Sequence, residues 1–275
     1  MNLPASDYRC YRHPDREAYI TCQRCERMIC PDCMRDASVG FHCPSCVAEG
    51  AKSVRAPRTI AGGAVSAYDG LVTKVLIGLN VAAYVLQLAT DDRSGSVFQR
   101  GAMQSFAVAD GDFWRLLTAA FLHGSVLHIA FNMYALYLFG PFAEKALGTV
   151  RFIAAYLTAA LVSSVFVYWL EKPEVATIGA SGAVFGLFGL VLLLLLKAKQ
   201  DVTTLIILLA INAVISLQGN ISWQGHLGGF VAGCVLGAAF AYAPRDRKQL
   251  VQVIVFGVVW VAMIVAVIIR TSQLR

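Results

Sequence analysis

The chain has 275 residues, of which 57% are hydrophobic and only 15% are charged, and its formal net charge is +6. An average soluble domain carries about 25% charged residues, so the composition excludes an ordinary soluble globular protein. The charges are also segregated, since Asp, Glu, Lys and Arg are absent from Phe152–Leu170, Val202–Pro244 and Gln249–Ile269. A membrane-spanning helix needs about 20 mostly apolar residues. The sequence therefore predicts an all-α polytopic membrane protein.

The amino-terminal segment differs from the rest, because residues 1–48 are polar and contain seven of the eight cysteines. We expect a separate soluble domain here rather than a targeting sequence. Four pairs of potential ligands recur with two residues between their members: Cys10 and His13, Cys22 and Cys25, Cys30 and Cys33, Cys43 and Cys46. Tetrahedral zinc takes four such ligands, so eight of them predict two structural Zn²⁺ ions. His42 is an alternative to Cys43.

This spacing resembles B-box-type zinc fingers, which bind two metals in a crossed arrangement. The resemblance implies that Cys10, His13, Cys30 and Cys33 share one zinc and that the other four cysteines share the second, although sequential pairing stays open. Residues 1–60 carry nine Arg or Lys against seven Asp or Glu. A nucleic-acid-binding module is typically strongly basic, so the balance disfavours nucleic acid. We expect a structural role, or docking to a protein partner.

The remaining chain is predicted to contain a basic linker at 49–69, six spans within 70–243, and a seventh span with its tail at 244–275. The spans are expected near 71–89, 124–143, 151–170, 178–196, 202–217, 225–243 and 249–270, with a turn at 218–224. The connection 90–123 is long and mixes Trp, Arg and apolar residues, which is typical of interfacial helix.

The orientation follows from the distribution of Lys and Arg. With a cytoplasmic amino end, seven Lys or Arg lie in the inner loops and four in the outer loops, as the positive-inside rule favours. Free thiols also persist best in the reducing cytosol. We therefore expect a multi-pass protein of the cell membrane, with the amino end in the cytoplasm and the carboxyl end outside.

Few polar residues interrupt the predicted spans, and such residues are costly in a membrane and indicate function. His128 and Asn132 lie in the second span, Ser181 begins the fourth, and His226 begins the sixth. Because these three spans run in the same direction, the four residues are expected at a similar depth below the outer surface.

This set permits nucleophilic catalysis. Ser181 is a weak nucleophile unless a base removes its proton, and His226 can act as that base. No acidic residue lies in a predicted span, so the unit would be a dyad. His128 and Asn132, four residues apart on one helix face, can donate hydrogen bonds to an oxyanion, each worth ~3–4 kcal/mol.

The motifs resemble the rhomboid family of intramembrane serine proteases. They are "GASG" around Ser181, His226 followed by Gly229 and Gly233, His128 with Asn132, and the segments "FWRLLTAAFLH" and "FGPFAEKALGTVRF". The resemblance covers about 70–243. It implies a six-helix core, Ser181 as nucleophile, His226 as base, an oxyanion site at His128 and Asn132, no active-site metal, and cleavage of the transmembrane segments of protein substrates near the surface of the lipid bilayer.

Two residues depart from the family pattern. Phe185 stands where many members have a tyrosine that stacks on the histidine, and Gly225 stands where alanine is common. Neither change removes a catalytic group. We also expect Trp114 and Arg115 to anchor at headgroups, Glu144 to hold a cytoplasmic loop, and His123 to be a structural hydrogen-bonding residue.

Other classes fit less well. The sequence lacks a His-Glu-x-x-His metalloprotease motif and a pair of intramembrane aspartates. The main alternative is a proteolytically inactive rhomboid-like binder or chaperone of membrane proteins, which the presence of both Ser181 and His226 disfavours. A transporter is the weaker alternative, because charged or inverted-repeat spans are not evident.

Overall fold

The structure is a computed structural model that describes residues 8–54, 57–65, 69–216 and 221–275. The chain divides into two units, Met1–Pro57 and Arg58–Arg275. Residues of the predicted linker belong to both units: the last helix of the first unit continues to Ser53, and Ala61 is fully buried in the second. Of the predicted turn at 218–224, residues 218–220 lie outside the described residues.

The first unit contains very little regular structure. Strand β1 (Ile20–Thr21) pairs with β2 (Met28–Ile29), and β3 (Arg35–Asp36) pairs with β4 (Phe41–His42), both antiparallel, before helix α1 (Pro44–Ser53). Strands of two residues cannot bury an apolar face of useful size. The buried residues of this unit are accordingly almost all cysteines, together with Ala18 and Ile29.

The second unit is helical. Its helices are α2 (Leu71–Ala89), α3 (Ser96–Gly101), α4 (Ser105–Ala109), α5 (Arg115–Thr118), α6 (Val126–Leu147), α7 (Thr149–Leu170), α8 (Ser181–Lys197), α9 (Thr203–Ser216), α10 (Trp223–Tyr242) and α11 (Lys248–Leu274). The connection 90–123 contains the short helices α3 to α5, which agrees with the helical content expected there.

In the part of the chain that the structure describes, seven apolar helices occupy the positions of the predicted spans. Among the described residues, five are long and apolar enough to cross a membrane, namely α2, α6, α7, α10 and α11. Helices α8 and α9 are apolar but shorter, with 17 and 14 residues. A polytopic membrane protein is therefore confirmed in outline, while the number of seven spans stays a prediction.

Helices α8 and α10 approach each other closely through glycines. A methyl group added at Gly229 would overlap the carbonyl oxygen of Gly182, and one at Gly233 would overlap that of Gly186. Only glycine permits such an approach, which is how small residues pack helices inside a membrane. Because Gly182 follows Ser181 and Gly229 lies three residues after His226, this contact brings the two predicted catalytic residues to the same end of the helix pair.

Glu144 joins two helices near their ends. Its carboxylate is 1% exposed and accepts hydrogen bonds from the backbone N–H groups of Val72 and Thr73 (both 3.0 Å) and from the Thr73 hydroxyl. These N–H groups belong to the first turn of α2, which has no intrahelical partners for them. The expectation of a loop contact was therefore wrong: Glu144 lies inside α6, which continues to Leu147, and it caps α2.

Candidate active site and metal clusters

The eight predicted metal ligands of the first unit form two clusters. Within each, the potential ligand atoms all lie within 4.8 Å of one another, and the groupings are Cys10, His13, Cys30, Cys33 and Cys22, Cys25, Cys43, Cys46. This is the crossed arrangement, and the sequential one does not match these groupings. His42 is in neither cluster, which leaves Cys43 as the eighth candidate ligand.

The spacing of the atoms fits a tetrahedral ion. Two sulfurs at the Zn–S distance of ~2.3 Å would be about 3.8 Å apart, and Cys25 Sγ lies 3.7 Å from Cys43 Sγ. His13 Nδ1 lies 3.4 Å from the sulfurs of both Cys30 and Cys33 and 3.9 Å from that of Cys10. The donor set therefore suits a thiophilic metal such as Zn²⁺.

The thiols of each cluster differ in acidity. Burial raises the pKa of Cys10, but backbone N–H groups, foremost that of Cys30, outweigh it and lower the pKa to about 6. Burial and the neighbouring Cys10 sulfur raise the pKa of Cys33 to about 11. In the second cluster, hydrogen bonding to Cys25 and burial raise the pKa of Cys46 to about 12. A metal ion deprotonates the thiols that it binds, so a bound cation would make all the cysteines of a cluster thiolates despite these differences.

The predicted catalytic residues all lie near helix starts in the second unit. His128 is in the first turn of α6, Ser181 is the first residue of α8, and His226 is in the first turn of α10; Asn132 lies one turn after His128. Backbone bonds also fix the segment before Ser181: Thr177 pairs with Met103, and the N–H of Gly179 donates to the carbonyl of Ala119 (2.9 Å). The connection 90–123 thus holds the start of α8 in place.

The His128 ring packs against Gly179, two residues before Ser181. Gly179 has φ 128°, a region that residues with a side chain rarely adopt. A methyl group on it would lie only 2.8 Å from His128 Nε2, and 3.6 Å from Ser181 Oγ. Glycine is therefore required here, because only a residue without a side chain lets the imidazole come so close to the segment that carries Ser181.

The His128 ring is held in one tautomer. The backbone N–H of Gly124 donates to His128 Nδ1 (3.3 Å), so Nδ1 carries a lone pair and Nε2 carries the proton. The Nε2–H group is thus a donor on the edge of the ring that packs against Gly179, two residues before Ser181. Asn132 is 6% exposed, and one N–H of its amide donates to the His128 carbonyl (3.0 Å), which leaves the second N–H of the amide as the available donor.

His226 lies against the same helix as Ser181. Its ring stacks on Phe185 with a centroid separation of 4.0 Å and an interplanar angle of 11°. Phe185 is one turn after Ser181 on the same face of α8, so the stacked imidazole lies one turn along α8 from the serine, although among the described residues no hydrogen bond joins His226 to Ser181. The stacking occurs here without the tyrosine hydroxyl that many rhomboid members have.

Two contacts and one missing contact near these residues differ from what the sequence led us to expect. The hydroxyl of Ser216 lies 2.7 Å from His226 Nδ1. Arg115 is 7% exposed and donates to the carbonyls of Gln99 and Ala102, so it holds the connection together and the expectation of a headgroup anchor was wrong. His123 is fully buried, and both of its ring nitrogens lack a hydrogen-bond partner among the described residues. Its expected side-chain hydrogen bonds are therefore not made.

Comparisons with known proteins cover the helical unit. The sequence model of the Rhomboid domain family matches residues 110–243 of this chain. The chain is 35% identical over 138 residues to the rhomboid-family protein YdcA of Bacillus subtilis, covering 48% of this chain and 69% of YdcA. It is 35% identical to the rhomboid protease GluP of the same organism over 50% of this chain but only 28% of GluP, and 27% identical to the rhomboid protease AarA of Providencia stuartii over 64% of this chain and 75% of AarA.

Proposed function

Since the chain belongs to the rhomboid family, we propose that it is an intramembrane serine protease that hydrolyses peptide bonds in or near the transmembrane segments of other membrane proteins. The observation that carries the proposal is the grouping of four polar residues near the starts of α6, α8 and α10, with His226 stacked on Phe185, one turn from Ser181, and the His128 ring packed against Gly179. The named proteases among the relatives support the same activity.

The reaction proceeds through a covalent intermediate. His226 Nε2 takes the proton of Ser181 as Oγ attacks the substrate carbonyl carbon, and the carbonyl oxygen becomes an oxyanion. The His128 Nε2–H, the free Asn132 N–H and the backbone N–H of Ser181 at the helix start can each stabilise that charge. His226 then gives the proton to the leaving amine, and water, activated by the same histidine, releases the acyl group from Ser181.

The catalytic pair is tested with the purified protein in lipid vesicles and a generic transmembrane-segment substrate. Ser181→Ala and His226→Ala are each expected to abolish cleavage, and a fluorophosphonate is expected to label the wild type but not Ser181→Ala. Circular dichroism and zinc content serve as the control that the variants are folded. Full activity in Ser181→Ala would contradict the proposal, and a wild type that neither cleaves nor is labelled would favour the inactive binder.

We also propose that the first unit is a domain that holds two structural Zn²⁺ ions in the cytosol, with the crossed ligand sets described above. Structural zinc contributes ~10–16 kcal/mol per site in zinc-finger peptides, which a unit with two-residue strands needs. Metal analysis is expected to find two zincs per chain, one in Cys43→Ala, and two in the matched variant His42→Ala. Equal loss in both variants, or a different metal, would contradict the assignment.

The membrane orientation is a proposal of the same kind. A protease-sensitive tag added after Arg275 is expected to be cleaved from outside intact cells, because seven spans place the two ends on opposite sides. A protected tag would contradict either the number of spans or the cytoplasmic amino end.

A further inference from the structure

A hydroxyl group lies at the far side of the proposed catalytic histidine. Ser216 is the last residue of α9 and is 4% exposed, and its Oγ is 2.7 Å from His226 Nδ1. The same oxygen lies 2.7 Å from the backbone carbonyl oxygen of Asn212. His226 itself is 9% exposed, so both groups of this pair are largely removed from water.

Counting protons fixes the direction of both hydrogen bonds. A serine hydroxyl has one proton and two lone pairs, whereas a carbonyl oxygen can only accept. The Ser216 proton must therefore point to Asn212, as in the common back-bond from serine to the fourth preceding carbonyl. Ser216 Oγ can then only accept from His226, which places the imidazole proton on Nδ1.

We propose that Ser216 is a positioning residue that holds His226 in the tautomer with a proton on Nδ1 and a free lone pair on Nε2. This inference rests on the proposed function, since the tautomer matters because Nε2 must be unprotonated to accept the proton of Ser181. It assigns to a neutral hydroxyl the orienting role that a carboxylate has in serine protease triads.

Two contacts then define the ring completely. Stacking on Phe185 sets the plane of the imidazole, and the bond to Ser216 sets its rotation within that plane. His128 shows the opposite arrangement, because the Gly124 N–H donates to its Nδ1 and leaves Nε2 protonated. The two histidines are thus held in opposite tautomers, which match a base at His226 and a hydrogen-bond donor at His128.

The expected magnitude is smaller than in a charged triad. Loss of the orienting aspartate from such a triad costs about 10⁴-fold in kcat, but a hydroxyl supplies no negative charge to stabilise the imidazolium. We expect Ser216→Ala to lower kcat by about 10- to 100-fold with KM nearly unchanged, since Ser216 orients the base and substrate binding does not depend on it. Ser216→Thr keeps the hydroxyl and is expected to restore most of the activity.

The test combines kinetics with the state of the ring. The full-length wild type, Ser216→Ala, Ser216→Thr and the control Thr204→Ala, which removes an exposed hydroxyl from the same helix, are compared with the transmembrane-segment substrate. Nitrogen-15 NMR of protein with labelled histidine reports the tautomer of His226, whose signals are identified by their loss in His226→Ala. Wild type is expected to show Nδ1–H, and Ser216→Ala a mixture of both tautomers.

The outcomes distinguish failure of the Ser216 proposal from failure of the proposed protease function. A wild-type spectrum with the proton on Nε2 overturns the assignment even if Ser216→Ala fails to fold. Unchanged kcat in Ser216→Ala, or a fall in kcat that Ser216→Thr does not reverse, also overturns it. If the wild type cleaves nothing, the proposed function fails, while the NMR measurement still decides whether Ser216 holds the tautomer.

Discussion

Helices α10 and α11 follow each other in the chain and are both apolar, yet they pack in different ways. The most apolar stretch of α11 has a mean hydropathy of 2.8, and only 11% of that stretch is buried in the protein. The corresponding stretch of α10 has a mean hydropathy of 1.4, and 61% of it is buried. Helix α10 contacts α8 through glycine and backbone atoms. Helix α11 is joined to α7 by side-chain bonds, such as that from the indole of Trp260 to Thr158 Oγ1 (3.2 Å).

The difference teaches that hydropathy alone does not indicate which helix carries the site. In a membrane, apolar surface gains nothing by leaving lipid for protein, so association depends on close packing and hydrogen bonds. The glycine contact between α8 and α10 fixes the backbones that carry Ser181 and His226. The bonds of α11 join it to α7 and to other segments, such as Ala61, and none of those in the described part of the chain involves Ser181 or His226.

The largest effect is expected from filling the glycine contact. Gly229→Val would force α10 away from the Gly182 carbonyl, and a displacement of 1 Å between catalytic groups can cost ~10²-fold in rate. Gly233→Val is expected to do the same through Gly186. Cleavage and fluorophosphonate labelling should fall together by at least that factor, with zinc content unchanged.

The matched control lies on α11. A methyl group added at Gly257 would meet nothing within 4 Å, so Gly257→Val is expected to leave activity at the wild-type level. If both α10 variants kept near-normal activity, or if Gly257→Val were equally damaging, the distinction between the two helices would be wrong.

A smaller effect is expected from removing the stacked ring on α8. Aromatic pairs of this kind contribute about 0.5–1.5 kcal/mol beyond their buried area, which corresponds to about 2- to 13-fold in rate if the contact positions the base. Phe185→Ala should lower kcat by that amount, whereas Phe185→Tyr keeps the ring and should stay close to wild type. Equal losses in the two variants would show that ring stacking does not orient His226.

The smallest effect on activity is expected on α11 itself. Gln252 is 4% exposed, accepts from Arg151 Nε and donates to the carbonyl of Ala61 (both 2.9 Å). Gln252→Leu leaves both partners unpaired, which costs about 1–3 kcal/mol in the free energy of unfolding. The midpoint of thermal unfolding should fall while kcat changes little, and Gln249→Leu, at an exposed position on the same helix, should change neither. A large loss of kcat in Gln252→Leu would mean that α11 does shape the site.

Much of the helical unit could be predicted, because the charge-free segments and the glycine spacing are properties of the sequence itself. The positions of the apolar helices and the grouping of His128, Ser181 and His226 near helix starts follow from them. The contact of Ser216 with His226 could not be predicted, because a serine at the end of an apolar helix usually only bonds back to a carbonyl of its own helix. Only the arrangement of α9 beside α10 shows that its second lone pair meets an imidazole.

The burial of Arg115 could not be predicted for a related reason. An arginine beside tryptophan is typical of a membrane interface, and its sequence neighbours give no indication of burial. Its partners are the carboxylate of Asp112, three residues earlier, and the backbone carbonyls of Gln99 and Ala102, and the positions of those carbonyls depend on the irregular path of the connection 90–123. Contacts of this kind have no residue-type pattern, so sequence periodicity cannot reveal them.

Because Glu144 caps α2 from a later helix, the first turn of α2 is incomplete while the chain is being synthesised. The backbone N–H of Thr73 donates to a carboxylate that lies 71 residues later in the chain, and at ~5–20 residues per second synthesis needs about 4–14 s to reach it. Unpaired N–H groups cost several kcal/mol in hydrocarbon, so during this interval the first turn of α2 needs water as its hydrogen-bond partner. Once α6 has been made, Glu144 can replace that water.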